Sequence, residues 1–350
     1  MLMERTLLIV ISLVLACNVE PKTKKGFTEK DMKAYLMVYF KDETHGLYMA
    51  LSKDGYTFTD VNNGNPVIAG DTVALQKGIR DPHIMRGPDN AFYLSMTDLH
   101  IYAKKEGLRD TDWERDGKEF GWGNNRSIIL MKSYDLINWT ISNFRMDITF
   151  PELKDIGCIW APETIYDEEA GKLMVYYTMR LKNDLNRLYY SYVDDDFTKF
   201  ITAPQLLFEY PKNVSYIDAD ITKVGDKFHL FYTPHDGGVG VKQAISDKIN
   251  REYVYDSKWY DQEKRACEAP NLWKRIGENK WVLMYDVYTL TPNNMGFCET
   301  SDFKRFENLG YFNAGVMKTT NFISPKHGAV IHLTEKEAKK LKKYWRTKNN

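Results

Sequence analysis

A pattern that returns five times along the 350-residue chain constrains the fold more than any other feature. Each copy is an apolar run, then Ser or Thr with Asp, then an aromatic residue a few positions on. The copies are Tyr48 to Asp54 with Phe58, Ile129 to Asp135 with Trp139, and Leu188 to Asp194 with Phe197. A shorter one, Ala244 to Asp247 with Tyr253, precedes the last, Phe297 to Asp302 with Phe306. The last three begin about 55 residues apart, a period typical of propeller blades. Before most copies lies a short strand, a Gly- or Asp-containing turn and an aromatic-rich strand. Examples are His83 to Arg86 with Ala91 to Met96, and Ile221 to Val224 with Lys227 to Tyr232. Turn chemistry and alternation make each a hairpin. Hairpin plus repeat gives four strands, one blade.

Four blades are complete in sequence order, and the fifth is built from both ends. His327 to Leu333 supplies its inner strand; Tyr35 to Lys41, Gly46 to Ser52 and the stretch around Phe58 supply the others. Pairing the termini in one blade closes the ring and removes free edges. The expected fold is an all-β, five-bladed β-propeller over residues 31–350, closed by N- and C-terminal strands. The one helix expected is Glu335 to Trp345, short and basic.

Lys and Arg total 48 against 48 Asp and Glu, so the formal net charge is zero. That excludes the basic surface a nucleic-acid binder needs. Aromatic residues at 14% exclude a disordered chain and supply surfaces on which sugars stack. Leu7 to Ala16 is too short an apolar run to span a bilayer, and Val14-Leu15-Ala16-Cys17 closes it with a small residue before Cys. Residues 1–17 therefore read as a lipoprotein signal peptide with Cys17 lipidated, and 18–30 as a polar tether. The expected location is the outer membrane of a Gram-negative cell envelope, with membrane contact only through that lipid. Cys158, Cys267 and Cys298 are odd in number and lack metal-ligand spacing, so they read as buried small hydrophobes.

In a propeller the inner strand of each blade starts at one face, near the axis. Asp81-Pro82, Trp160-Ala161-Pro162-Glu163, Asp218-Ala219-Asp220, Glu268-Ala269-Pro270 and His327-Gly328 each fall just before an expected inner strand. Four acids and an imidazole thus converge on one pocket. Such clustering costs repulsion, so a structural role alone explains it poorly. Arg80 adjoins Asp81, but neighbouring strand residues face opposite sides, so it receives no role.

This ordered set resembles glycoside hydrolase family 43 from about Tyr35 to Leu333. The resemblance implies a five-bladed propeller that inverts configuration at an anomeric carbon. It implies Asp81 as general base, Glu268 as general acid and Asp218 as the carboxylate that tunes and orients the acid. It also implies that His327, near the axis, helps hold a calcium ion or its waters, as in some members; no organic cofactor is implied. Two departures bear on the sub-group: Glu163 where the tryptophan motif usually ends in Asp, and Ala219 where many members carry Pro. Trp160, Glu163 and His327 are expected to touch substrate.

The loop from about Asp98 to Arg126 is long and holds Tyr102, Trp113, Phe120 and Trp122. Long loops in compact domains are usually functional. Trp122, between Gly121 and Gly123, is the expected sugar platform. Met179 to Asn186, Pro234 to Gly240, Val287 to Asn294 and Asp42 to His45 should reach the same face. The expected activity is exo-cleavage of terminal sugars from plant cell-wall glycans. The sugar is α-L-arabinofuranosyl first, with β-xylosyl or β-galactosyl as alternatives. A glycan-binding surface lipoprotein without catalysis is the competing class; it would not need the full set of acids.

Overall fold

The computed structural model describes residues 26–108 and 115–348; Cys17, the signal segment and Trp113 lie outside them. Five antiparallel sheets form the blades. The inner strands are Ile79–Arg86, Ile156–Asp167, Tyr216–Val224, Glu268–Lys274 and Lys326–Thr334. Each contacts the next, and the fifth contacts the first, so the ring is closed. In the fifth blade Lys326–Thr334 pairs with Met32–Phe40, which pairs with Leu47–Ser52 and then Thr57–Asp60. This is the expected closure by the two ends of the chain.

The core is five apolar clusters, one between each pair of neighbouring blades. Side chains on a strand alternate between faces, and both faces of each blade are covered. Leu36 and Val38 therefore pack toward the first blade, Tyr35, Met37 and Tyr39 toward the fourth. This two-sided burial explains why the strands read as nearly continuous apolar runs.

The recurring Ser/Thr-x-Asp turns the chain between third and fourth strands. The hydroxyls of Ser52, Ser133 and Thr300 accept from the N–H groups of Gly55, Leu136 and Phe303 at 2.9, 3.0 and 3.0 Å. Asp54, Asp135 and Asp302 accept from the N–H groups of Thr57, Asn138 and Arg305 at 2.8, 2.8 and 2.9 Å. Side-chain acceptors replace the missing ladder at each turn. The helix spans Glu335–Lys348, three residues longer than expected, and buries Leu341 and Trp345. Glu29–Asp31, at the end of the segment expected as a tether, forms a turn on the propeller, with Glu29 bound to Lys274 at 2.6 Å; residues 18–25 lie outside the described residues.

Candidate active site

The acids lie inside the inner strands rather than before them. Each inner strand carries a bulge near its start, where the register slips against its partner; Ile156–Asp167 and Lys326–Thr334 each carry a second irregularity. At each bulge one non-glycine residue has positive φ: Asp81 (50°), Ala161 (45°), Asp218 (44°), Ala269 (59°) and His327 (24°). Such residues are uncommon, and their strain gathers at functional sites. The bulges sort the axial side chains into three layers. Arg80, Trp160, Ile217, Glu268 and Lys326 form a rim around a cleft of about 740 Å³. Asp81, Asp218 and His327 form the floor beneath it. His83, Glu163, Asp220 and Asn271 lie two residues further along their strands, buried below the floor.

This layering corrects two expectations. The bulge places Arg80 and Asp81 on the same side, so the alternation that sent Arg80 away does not apply. Arg80 lines the cleft and binds Asp42 at 2.7 Å. Glu163 does not touch the cleft; its carboxylate accepts from Tyr176 Oη at 2.7 Å in the lower layer. The expected convergence of four acids and an imidazole is in fact spread over all three layers.

The floor and rim hold different charges. Asp81 Oδ1 is 3.2 Å from His327 Nδ1, and Thr97 Oγ1 donates to Asp81 Oδ2 at 2.7 Å. Burial alone would push Asp81 up. The His327 charge and hydrogen bond, with Arg80 and Thr97, outweigh it and hold Asp81 at a pKa of about 2. For Glu268, burial acts first and the nearby Asp218 and Asp286 carboxylates add to it, so its pKa is raised despite Lys326 and His327. Asp218 is also raised, by burial and by Asp81 and Asp286, against the opposing pull of His327 and Arg80. One carboxylate is therefore ionised and another protonated around one cleft, the division an acid–base pair requires.

Residues that the sequence offered only within expected loops, or not at all, complete the rim. Asp42 bridges Arg80 to Lys326, whose Nζ is 3.4 Å away. The other wall is the long loop. Trp122 is 67% exposed and stands edge-on to Trp160 with ring centroids 5.9 Å apart. Trp160 Nε1 donates to Gly123 O at 2.9 Å, and Gly123 has φ 61° with Trp160 against its Cα, so glycine suits this crossing. Arg180, another missed residue, donates to Trp122 O at 2.6 Å and to Asn186 Oδ1 at 3.0 Å, with its guanidinium 4.6 Å over Trp160. Asn183 to Asn186, His235 and Tyr288 line the cleft from the expected loops, whereas His45 is buried against His100. The signal that could have found Arg80 and Lys326 is their position: both precede a floor residue, as Glu268 precedes Ala269.

His327 Nδ1 is engaged with Asp81, which raises the imidazole pKa against the effect of burial, so that nitrogen is not free for a metal and only Nε2 could hold an ion or its water. Among the described residues, His83, Glu163 and Asp220 are close enough to share an ion, within 4.8 Å. Yet Thr164 N–H donates to His83 Nδ1 at 3.1 Å, which leaves the proton on Nε2, facing Glu163 at 3.7 Å. That histidine too is set as a donor.

Comparison with known proteins agrees with this geometry. A family model described as a probable glycosyl hydrolase domain matches residues 30–339. An alpha-L-arabinofuranosidase of Bifidobacterium longum subsp. longum is 26% identical over 235 residues, covering 58% of this chain and 20% of that protein. The chain thus spans a fifth of the curated relative's length. A solved alpha-L-arabinofuranosidase of Clostridium thermocellum aligns with a TM-score of 0.52 at 12% identity, over 77% of this chain and 84% of that one. An endo-1,4-beta-xylanase structure from Bacteroides thetaiotaomicron aligns at 0.55 and 12% identity, over 82% and 94%. At such identities the two structures speak for the propeller alone. With the family match running through all five blades, the chain belongs to the family-43-related glycoside hydrolases.

Proposed function

We propose that this protein is an inverting exo-glycosidase that releases terminal α-L-arabinofuranosyl residues from plant cell-wall polysaccharide side chains. The observation that carries the reaction is the split between Asp81, held ionised, and Glu268, held protonated, at one cleft. Asp81 takes a proton from water as that water attacks the anomeric carbon. Glu268 gives its proton to the departing glycosidic oxygen. Inversion requires the two carboxyl groups to stand about 6.5–9.5 Å apart, with the water between them and the sugar. They come from the first and fourth blades, which are not neighbours in the ring. Asp218, its N–H bound to Thr178 Oγ1 at 3.0 Å, lies on the third blade beside Glu268 and repels its ionised form. Trp122 and Trp160 offer the sugar an apolar face. No step needs an organic cofactor. The choice of arabinose rests on the curated relative's name.

The test is hydrolysis of aryl α-L-arabinofuranoside, β-D-xyloside and β-D-galactoside by wild type and Asp81→Asn. Cleavage of the arabinofuranoside alone, abolished by the substitution, is the expected result. Preference for another sugar overturns the substrate, and cleavage that survives Asp81→Asn overturns the base. Glu268→Gln should lose about 10³-fold or more on an unactivated oligosaccharide, and far less on an aryl glycoside whose leaving group needs little protonation. Equal losses on both would remove Glu268 from the role of acid.

We also propose that Cys17 carries the lipid that holds the enzyme at the outer membrane. Cys17→Ala should move the protein from the membrane fraction to the soluble one; an unchanged distribution overturns the anchor.

A further inference from the structure

The five-fold repeat supplies an internal control for every position near the axis. Opposite each rim residue, on the second strand of the same blade, stands one side chain. Arg80 faces Thr97, Trp160 faces Thr178, Ile217 faces Thr233, Glu268 faces Asp286 and Lys326 faces Phe40. In the first two blades this hydroxyl serves the fold: Thr97 Oγ1 accepts from Ala161 N–H at 2.8 Å, and Thr178 Oγ1 from Asp218 N–H at 3.0 Å. Each ties down the strained bulge of the following blade. A threonine suffices for that. The fourth blade instead carries an acid, 1% exposed, neither of whose carboxylate oxygens has a hydrogen-bond partner. Its nearest cation is Lys326 Nζ at 3.5 Å. A buried carboxylate without hydrogen bonds destabilises a fold, so its presence at a position where threonine serves the fold in two blades calls for a function; the third threonine, Thr233, leaves its own hydroxyl buried without a partner.

We propose that Asp286 is a positioning residue for the reaction: a further carboxylate, paired across strands with Glu268, that keeps the proton on the acid and is itself restrained by Lys326. The proposal rests on Glu268 being the acid. Glu268 is faced by Asp218 from the third blade, Asp286 and Tyr288 from its own, Lys326 and His327 from the fifth, with Arg80 across the rim. Asp286 is faced by Lys326, His327, Asp42, Arg80 and Asp218; burial raises its own pKa, and Lys326 and His327 oppose that. The acids of this group outnumber its cations, so a proton must stay, and Asp286 and Lys326 act on it with opposite sign. Asp286 makes the ionised form of Glu268 costlier. Lys326 makes it cheaper, and also neutralises Asp286.

The experiment follows the Glu268 carboxyl directly, as the ¹³C resonance of labelled protein that disappears in Glu268→Gln. Its titration midpoint is read in wild type, Asp286→Thr and Lys326→Met. Asp286→Thr installs the side chain that the first three blades already accommodate, and Asp286→Asn is the second variant should the first not fold. The midpoint should fall by about one pH unit or more without Asp286 and rise without Lys326. The basic limb of the pH–rate profile should move the same way. A merely structural role for Asp286 would shift neither, and unmoved midpoints in both variants overturn the proposal. Its failure is distinguishable from failure of the acid assignment, because full activity of Glu268→Gln on the unactivated oligosaccharide would remove the acid whatever the midpoints do.

Discussion

Two layers of carboxyl groups are stacked on the propeller axis, two residues apart along the same strands, and they differ in the cations beside them. The floor has Asp81 and Asp218 with cations at hand: His327 at 3.2 Å from Asp81, and Arg80 on the rim. The lower layer has Glu163 and Asp220 with none. Its partners are Tyr176, Asn271 and Thr222, at 2.7, 3.0 and 3.0 Å, and the neutral His83, whose pKa burial lowers to about 3. Burial pushes Glu163 up, with Asp220 adding, and raises Asp220 to about 7. Asp218 in the floor is likewise raised, so of these four acids only Asp81, beside His327, is held below its usual value. Being an acid near the axis does not make a residue catalytic; a neighbouring cation and an opening to substrate do.

The largest effect should separate the layers on activity. Asp81→Asn should cost about 10³-fold or more in kcat/KM, because water loses its base. Glu163→Gln keeps the shape and the Tyr176 contact and should stay within a few-fold of wild type. Comparable losses from both substitutions would erase the distinction between the layers.

The repeat made the blades, the shared fifth blade and the gathering of acids near the axis legible in the sequence. Turn residues such as Ser133 and Asp135 are local in their action, and hairpins form between neighbours in the chain. The layering was not legible, because it depends on five bulges. Nothing in Trp160-Ala161-Pro162-Glu163 marks Ala161 as the residue that takes the left-handed conformation. Without that, strand periodicity sends Arg80 away from Asp81 and leaves Glu163 level with Asp218. Arg180 was missed for another reason: its partners Phe120 and Trp122 are about 60 positions away and offer only backbone carbonyls, which carry no sequence signal. Asp286 becomes visible only when second strands are compared across blades, where it replaces a threonine.

A second effect, intermediate in size, is the pH dependence of stability. Asp81 has a folded pKa of about 2, below its unfolded value near 3.9. Its contribution is therefore present above pH 4 and lost as pH falls toward 2. Asp220 is raised to about 7, so its contribution is full below pH 4 and lost as pH climbs to 7. Between pH 4 and 7 the lower layer should make wild type progressively less stable. Asp220→Asn should flatten that part of the Tm–pH curve by a few degrees. Asp81→Asn should flatten the part below pH 4 and, by removing the partner of His327, also alter the curve where that imidazole titrates. A Tm–pH curve unaltered by Asp220→Asn would mean that the lower layer is not storing a proton.

Smaller again is the effect of the cleft wall. Trp122→Ala removes the exposed ring that stands against Trp160 but leaves the floor untouched. KM should rise about 10-fold, the loss of roughly 1.4 kcal/mol of sugar contact, with kcat little changed. A fall in kcat with KM unchanged would instead place Trp122 in the reaction rather than in binding.

The smallest effect tests what the lower layer is for. Tyr176 Oη donates to Glu163 and accepts from Ile221 N–H at 3.0 Å, so it ties the second blade's inner strand to the third's. Tyr176→Phe should leave kcat/KM and its pH profile as in wild type, since no charge in the floor changes. It should cost about 1–3 kcal/mol of stability, because a buried carboxyl and a buried amide lose their shared partner. That outcome would assign the lower layer to joining blades about the axis. A shifted pH profile in Tyr176→Phe would show instead that protons of the two layers communicate, and the comparison on which the other predictions rest would need redrawing as a single network.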